Sequence, residues 1–409
     1  MKIFFTELNK TQKIGFFLLI LSIATLSAVG YVNSNKREVP IIFSEKEFFN
    51  TLWENYKLEY IEADTGRTLD KQQGNITTSE GQSYTMLRAV WVSDRETFNK
   101  SYKWTKDILR QKDSNLHSWL FGERSDGSYG ILVERGGNNA ATDADSDIAL
   151  ALIFAYEKWR DTYYLDEAKL IIKDIWDKEV VLIDGKPVLV SNDIEKNNTN
   201  KVIVNPSYFS PYAYRIFKTV DPANDWIGLA TNSYAILKES SKLPLDVKKS
   251  VGIPPDWIDI DMRTGNITAS QYQNLSTLYS FDALRIPWRI ALDWQWFKEP
   301  LAKEYLDSLS FFSNEWSEKQ SISSSYSHSG EILESTQVPS MYGGIIGYFL
   351  VSDPEKGKEI YEQKLQILYN PDTNSWKKTL SYYDDNWAWF GIGLYNNLLP
   401  NLAINFSRE

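Results

Sequence analysis

No cysteine occurs in the 409 residues. Disulfides, a thiolate nucleophile, a Cys-ligated zinc or iron–sulfur centre and a lipidated cysteine are all excluded. Histidine is almost as scarce, with only His117 and His328. A His-rich metal centre is therefore excluded, and a Ser-His-Asp triad would have to use one of those two. Basic excess is also lacking: 44 Lys+Arg stand against 54 Asp+Glu, for a net charge of −10. With no surplus of cations to displace counterions from a phosphate backbone, no nucleic-acid partner is expected. Nor is the chain short of apolar residues; 43% are hydrophobic and 24% charged, a folded rather than disordered composition.

What the sequence does hold is aromatic side chains: 15 Trp, 24 Tyr and 19 Phe. Rings with polar handles suit surfaces that are half apolar and half wet, and sugars pair apolar C–H faces with hydroxyl edges in the same way. The same rings also suit the core of a large helical domain, and composition does not separate the two.

Residues Ile14–Val32 carry no charged side chain and follow Lys2, Lys10 and Lys13. At about 1.5 Å per residue they span about 28 Å, close to the hydrocarbon thickness of a bilayer. The expected organisation is a short cytoplasmic N-terminus (1–13), a membrane anchor or signal peptide (14–32), a linker (33–45) and one catalytic domain (46–409). Ala28-Val29-Gly30 offers a small-x-small cleavage site, but the run is long for a signal peptide. An uncleaved single anchor with an extracytoplasmic domain is the favoured expectation, and secretion follows if the segment is cut.

Beyond the linker the periodicity predicts eleven helices: Lys46–Tyr56, Gln82–Leu109, Asp143–Tyr156, Leu165–Asp177, Pro211–Phe217, Trp226–Glu239, Ala283–Phe297, Leu301–Trp316, Val338–Leu350, Glu355–Tyr369 and Asn386–Leu398. Val180–Ile183 and Val188–Val190, on either side of Asp184-Gly185, read as a hairpin. Long polar loops such as Gly122–Asn139 and Ser191–Asn205 suggest an all-α toroid with a loop-built cleft. Periodicity does not distinguish a closed ring from an open array.

Three acidic segments stand out. Ala141-Thr142-Asp143-Ala144-Asp145-Ser146-Asp147-Ile148-Ala149 opens like a calcium loop, yet Ile148 and Phe154 occupy the positions where such a loop needs Gly and Glu. No metal is expected there. At a helix start, Asp145 and Asp147 suit capping and macrodipole roles as well as functional ones, whereas Asp143 sits at the junction that faces a cleft. Ser79-Glu80-Gly81 places a carboxylate at a helix entry, and Phe281-Asp282-Ala283-Leu284-Arg285 sets an acid and a cation on one helical face. Each has a plain structural reading: helix-dipole stabilisation for Glu80, an N-cap with an i,i+3 ion pair for Asp282.

Together these segments resemble glycoside hydrolase family 8, the inverting endoglucanases, chitosanases and xylanases built on an (α/α)6 barrel. Supporting matches are Asn205-Pro206-Ser207-Tyr208-Phe209-Ser210-Pro211, Pro255-Asp256-Trp257, Trp288-Arg289 and Ser381-Tyr382-Tyr383-Asp384, in family order over roughly Leu58 to Leu399. The resemblance implies Glu80 as general acid, Asp282 as general base, Asp143 as the carboxylate that holds the distorted sugar, and Arg285 as the group orienting the base or its water. It implies no cofactor and no metal. Phe281 stands where some relatives have Tyr, so a hydroxyl contact there is lost. Tyr84, Trp119, Tyr129, Tyr208, Trp257, Trp288 and Tyr383 lie in or beside the motifs and are candidates for substrate binding, although core packing suits each ring equally. His117 reads as a satisfied loop histidine and His328 as an exposed one.

A monomer acting on β-1,4-linked polysaccharide is the expectation, with β-1,4-glucan first. By analogy, the protein could associate with a cellulose synthase system. Chitosan and xylan on the same scaffold, or a non-catalytic glycan-binding protein, are the alternatives.

Overall fold

The computed structural model describes residues 45–272 and 275–403. They belong to the second of two compact units, Glu45–Glu409. Residues 14–32 lie outside the described residues; among those described, no helix is long and apolar enough to cross a membrane.

Thirteen α-helices occur among the described residues: α1 Glu45–Tyr60, α2 Ser79–Val92, α3 Arg95–Trp104, α4 Thr142–Trp159, α5 Thr162–Glu179, α6 Pro211–Val220, α7 Trp226–Ser240, α8 Arg285–Phe297, α9 Pro300–Asp307, α10 Ser310–Lys319, α11 Pro339–Ser352, α12 Pro354–Ile360 and α13 Tyr382–Tyr395. Two long expected helices are each broken in two. The Gln82–Leu109 run stops at Ser93, which adopts a left-handed conformation (φ 71°), and restarts because the Asp94 side chain accepts from Thr97 N at 3.0 Å. The Leu301–Trp316 run is interrupted at Ser308-Leu309. The Glu355–Tyr369 run leaves α-geometry at Tyr361 and continues through one π turn and one 3₁₀ turn.

Helices pair as neighbours in sequence. α2, α4, α6, α8, α11 and α13 touch one another in that order, and each also packs against a second helix: α3, α5, α7, α9, α12 and α1 respectively. The first and last of the six meet through side chains. Buried Arg88 of α2 donates to Asp385 Oδ1 of α13 at 3.1 Å and to Asn386 Oδ1 at 3.0 Å, and Tyr84 sets its ring edge-on to Trp387 and Phe390. α11 lies close against its neighbours at Gly343, Gly344 and Gly347. A β-carbon on Gly343 would lie 1.9 Å from the Trp387 carbonyl oxygen, and one on Gly347 2.3 Å from that of Pro287. Much of the aromatic content is core: Trp53, Trp226, Trp316, Trp387 and Trp389 are fully buried.

The expected all-α fold with one hairpin needs a small correction, since the loops hold five short antiparallel sheets among the described residues. The expected hairpin is present as β4 (Val180–Ile183) and β5 (Lys186–Leu189). Two three-stranded sheets matter more. β1 (Thr77–Thr78) pairs with β2 (Leu120–Glu123), which pairs with β3 (Tyr129–Ile131); the first strand runs directly into α2. β6 (Lys201–Val204) pairs with β7 (Ile258–Asp261) so that Val204 faces Ile258, and β8 (Ile267–Thr268) completes the sheet. That register brings the segment after Val204, which contains Ser207 and Tyr208, beside the segment before Ile258, which contains Asp256 and Trp257.

Candidate active site

Three helix starts converge on one guanidinium. Glu80 is the second residue of α2, whose first turn is set by Thr78: its hydroxyl accepts from Gly81 N at 3.0 Å. Asp143 is the second residue of α4, and Arg285 the first of α8. Asp282 lies in the turn that precedes α8. Arg285 Nη1 donates to Glu80 Oε2 at 2.7 Å and to Asp143 Oδ2 at 3.0 Å. Its Nη2 donates to Asp282 Oδ1 and, at 2.7 Å, to Ser207 Oγ. Nε reaches the same Ser207 hydroxyl at 3.1 Å and the Asp282 carbonyl at 3.2 Å. All three nitrogens of the planar fork are thus engaged, which a lysine could not reproduce.

The exposures are graded. The side chains of Arg285 and Asp143 are 2% and 3% exposed, whereas those of Glu80 and Asp282 are 22% and 30% exposed. The two latter carboxyls border a cavity of about 460 Å³, which Thr78, Phe281, Tyr382 and Tyr383 also line. Burial pushes the Glu80 carboxyl up to about 7; Arg285 opposes that rise, and the neighbouring Asp143 and Asp282 reinforce it. Burial also raises Asp143 above the ordinary carboxylate range, against the pull of Arg285 and Arg289. One cation among three carboxyls leaves a local surplus of acid, so a proton held at Glu80 relieves both desolvation and like-charge repulsion.

The ring candidates divide. Tyr208 and Trp257 are half-buried beside the acids, 5.8 Å apart and edge-to-face, and the Arg285 guanidinium sits 5.2 Å from the Tyr208 ring. Tyr383 is half-buried and its hydroxyl donates to the Phe281 carbonyl. Trp119 donates to Gly136 O at 2.8 Å, while its own carbonyl accepts from Ser79 N at 3.0 Å, next to Glu80. Tyr129 is the most open of the set, 52% exposed on β3. Two candidates are corrected. Trp288 is buried and donates to Phe390 O at 2.9 Å inside the core; Tyr84 is buried behind Glu80 against Trp387 and Phe390. Neither ring can lie on a sugar, because α8 and α2 turn those positions toward α13.

Capping does not describe Asp145 or Asp147. Asp145 is fully buried and accepts from His117 N at 3.1 Å and pairs with its Nδ1 at 2.6 Å. Asp147 accepts from both terminal nitrogens of Arg289, at 2.9 and 2.7 Å. Both side chains therefore face packed interior rather than the cleft. His328, expected at the surface, is buried with Nε2 at 2.9 Å from Leu243 O.

Several contacts of the site were not visible in the sequence. Ser207 binds Arg285 twice, the Trp257 indole N–H donates to Asp282 Oδ2 at 2.9 Å, and Asp256 accepts from Ser280 N and Ala283 N at 3.1 and 2.7 Å. Their motifs were visible; the partners were not, because they lie dozens of residues away. Among the described residues no group of three or more His, Cys, Asp or Glu side chains could hold a metal ion.

The profile for "Glycosyl hydrolases family 8" matches residues 39–381 of this chain. Endoglucanase 2 of Ruminiclostridium josui is 32% identical over 280 residues, covering 66% of this chain and 55% of that protein. Endoglucanase A of Acetivibrio thermocellus is 27% identical over 391 residues, covering 88% and 76%. The chain spans about half the length of the first curated relatives it matches. Among solved structures, an endo-1,4-D-glucanase from Vibrio fischeri ES114 superposes with a TM-score of 0.68 at 26% identity, covering 85% of this chain and 94% of that one.

Proposed function

This chain belongs to family 8 of the glycosyl hydrolases, and from that premise we propose that it is an endo-acting, inverting hydrolase of β-1,4-linked glucan on an (α/α)6 barrel. The observation that carries the reading is the shared guanidinium. Arg285 holds Glu80 and Asp282 on different nitrogens, both at the cavity and each with part of its carboxyl open. Inversion requires a protonated carboxyl to hand a proton to the leaving oxygen and a separate carboxylate to activate water on the opposite face of the sugar. Glu80, raised to about 7, retains its proton near neutrality and serves as the acid. Asp282 serves as the base. Asp143, buried behind both, binds the sugar at the cleavage point, and Arg285 keeps the two acting carboxyls apart and oriented. Tyr208, Tyr383, Trp119 and Tyr129 supply rings for neighbouring sugars.

The name endoglucanase carried by the relatives supports β-1,4-glucan as substrate. The apolar segment 14–32 supports a single N-terminal anchor with the enzyme outside the cytoplasm, and a place beside a cellulose synthase system would suit such an anchor. The full chain is expected in the membrane fraction of the expressing cell; recovery in the soluble fraction would remove the anchor.

Reducing-end release from carboxymethylcellulose, lichenan, chitosan and xylan tests the activity. Release from a β-1,4-glucan, reduced by about 10²–10⁴-fold in Glu80→Gln, is expected, with the α-anomer appearing first by NMR. A wild-type protein that binds glucan and releases nothing would mark a glycan-binding protein instead.

A further inference from the structure

Asp282 presents a mechanical difficulty. It stands in a turn before α8 rather than on the helix, and its side chain is the most exposed of the three acids at 30%. A water-activating carboxylate must nevertheless keep one orientation, since a small misplacement of the attacking water costs much of the gain from proximity. Arg285 secures only Oδ1.

Two adjacent residues of another loop secure the rest. Trp257 Nε1 donates to Asp282 Oδ2 at 2.9 Å, and the edge-to-face contact with Tyr208 holds the plane of its indole. Asp256 lies beneath the turn, 3% exposed. Its Oδ1 accepts from Ser280 N at 3.1 Å and from Ala283 N at 2.7 Å, and its Oδ2 accepts from the Ser280 hydroxyl. These donors lie on both sides of Asp282 in the chain. The loop itself is pinned: Asp256 N donates to Leu278 O at 2.7 Å and Trp257 N to Ser276 O at 2.9 Å.

We propose that Asp256 and Trp257 form a positioning clamp for Asp282, Asp256 fixing the main chain around it and the Trp257 indole N–H fixing its outer oxygen. The proposal rests on the reading of Asp282 as base. An indole suits the task for two reasons. It donates a single hydrogen bond, so each carboxylate oxygen keeps a lone pair for water. It is also neutral, whereas a second cation beside Arg285 would hold the carboxylate ionised and weaken it as a base. Trp257, a candidate sugar platform by sequence, thereby acquires a role that depends on its N–H and not on its ring face.

Trp257→Phe keeps a ring and deletes the donor, and it is tested in the full chain against wild type and Glu80→Gln. The expected result is a kcat about tenfold lower or more, KM within about twofold and an unchanged thermal melt. The groups facing Asp282 that titrate or carry charge are Glu80 on α2, Arg285 on α8, Asp256, Tyr208 and Tyr383. Asp256→Asn is expected to lower kcat at least fivefold with KM unchanged. An unaltered kcat in Trp257→Phe would overturn the clamp, as would a raised KM alone, which marks a platform.

A readout independent of turnover separates this idea from the assigned activity. The Trp257 indole ¹⁵N–¹H signal, identified by its loss in Trp257→Phe, should move with pH in wild type and lose that movement in Asp282→Asn. A signal that is flat in wild type, or equally mobile in Asp282→Asn, sinks the clamp. If wild type releases nothing from any polysaccharide while the indole follows Asp282, the clamp stands and the hydrolase reading fails.

Discussion

Glu80 shows how a carboxyl's protonation links chemistry to stability. Its ordinary value of 4.5 is pushed up to about 7 in the folded chain, first by burial. The folded protein therefore binds a proton between those values that the unfolded chain has already released. The sign follows: the associated stability is present in full below 4.5 and is lost as pH rises through about 7. Asp256, also raised to about 7 by burial and by Asp282, acts in the same direction. Urea unfolding should show Glu80→Gln gaining on wild type from pH 4.5 to pH 7.5; a constant difference would deny the shift. On the proposed role of Glu80 as acid, the same proton sets the alkaline side, so kcat/KM should fall with a midpoint near 7, and a flat profile to pH 9 would reassign the acid. Glu80, Asp143, Asp282 and Arg285 were all legible as candidates from their motifs. That one guanidinium binds all three carboxyls was not, because Arg285 lies 205 and 142 residues from Glu80 and Asp143.

At the scale of the element, helix ends position the chemistry and helix faces decide what is available to a ligand. The corrections at Trp288 and Tyr84 have a common cause. Each lies about one helical turn further along than a residue at the cleft, Tyr84 beyond Glu80 and Trp288 beyond Arg285, and that one turn along the helix separates cleft from core. Close approach sets the limits of change here. α11 meets α13 and α8 backbone to backbone at Gly343 and Gly347, with no room for a methyl group. Gly343→Ala gains helix propensity yet must push α13 aside, and overpacking of this kind costs about 1–3 kcal/mol. A lowered midpoint in urea is expected; a raised one would mean that α11 has slack against its neighbours.

For the whole molecule the contact between α2 and α13 joins the first and last of the six helices that touch in series. Arg88 is buried with its guanidinium 3.9 Å from the Tyr56 ring and 4.7 Å from the Trp389 ring, and its ion-pair partner Asp385 lies 297 residues away. Arg88→Met leaves Asp385 buried without its cation, at a cost of about 3–5 kcal/mol. Because the partners come from α1, α2 and α13, the loss should move a single cooperative transition, with fluorescence and far-UV circular dichroism still coincident. A separate early transition would show that these helices unfold independently. By itself the sequence determined the predominance of helices, the four charged groups of the site and the family that they resemble, since periodicity, caps and short motifs are local and survive in a linear string. Only the tertiary structure decided which rings are core, where two long helices break, and that Ser207, Asp256 and Trp257 attend the acids, because burial and hydrogen-bond partnership depend on residues brought together from distant parts of the chain.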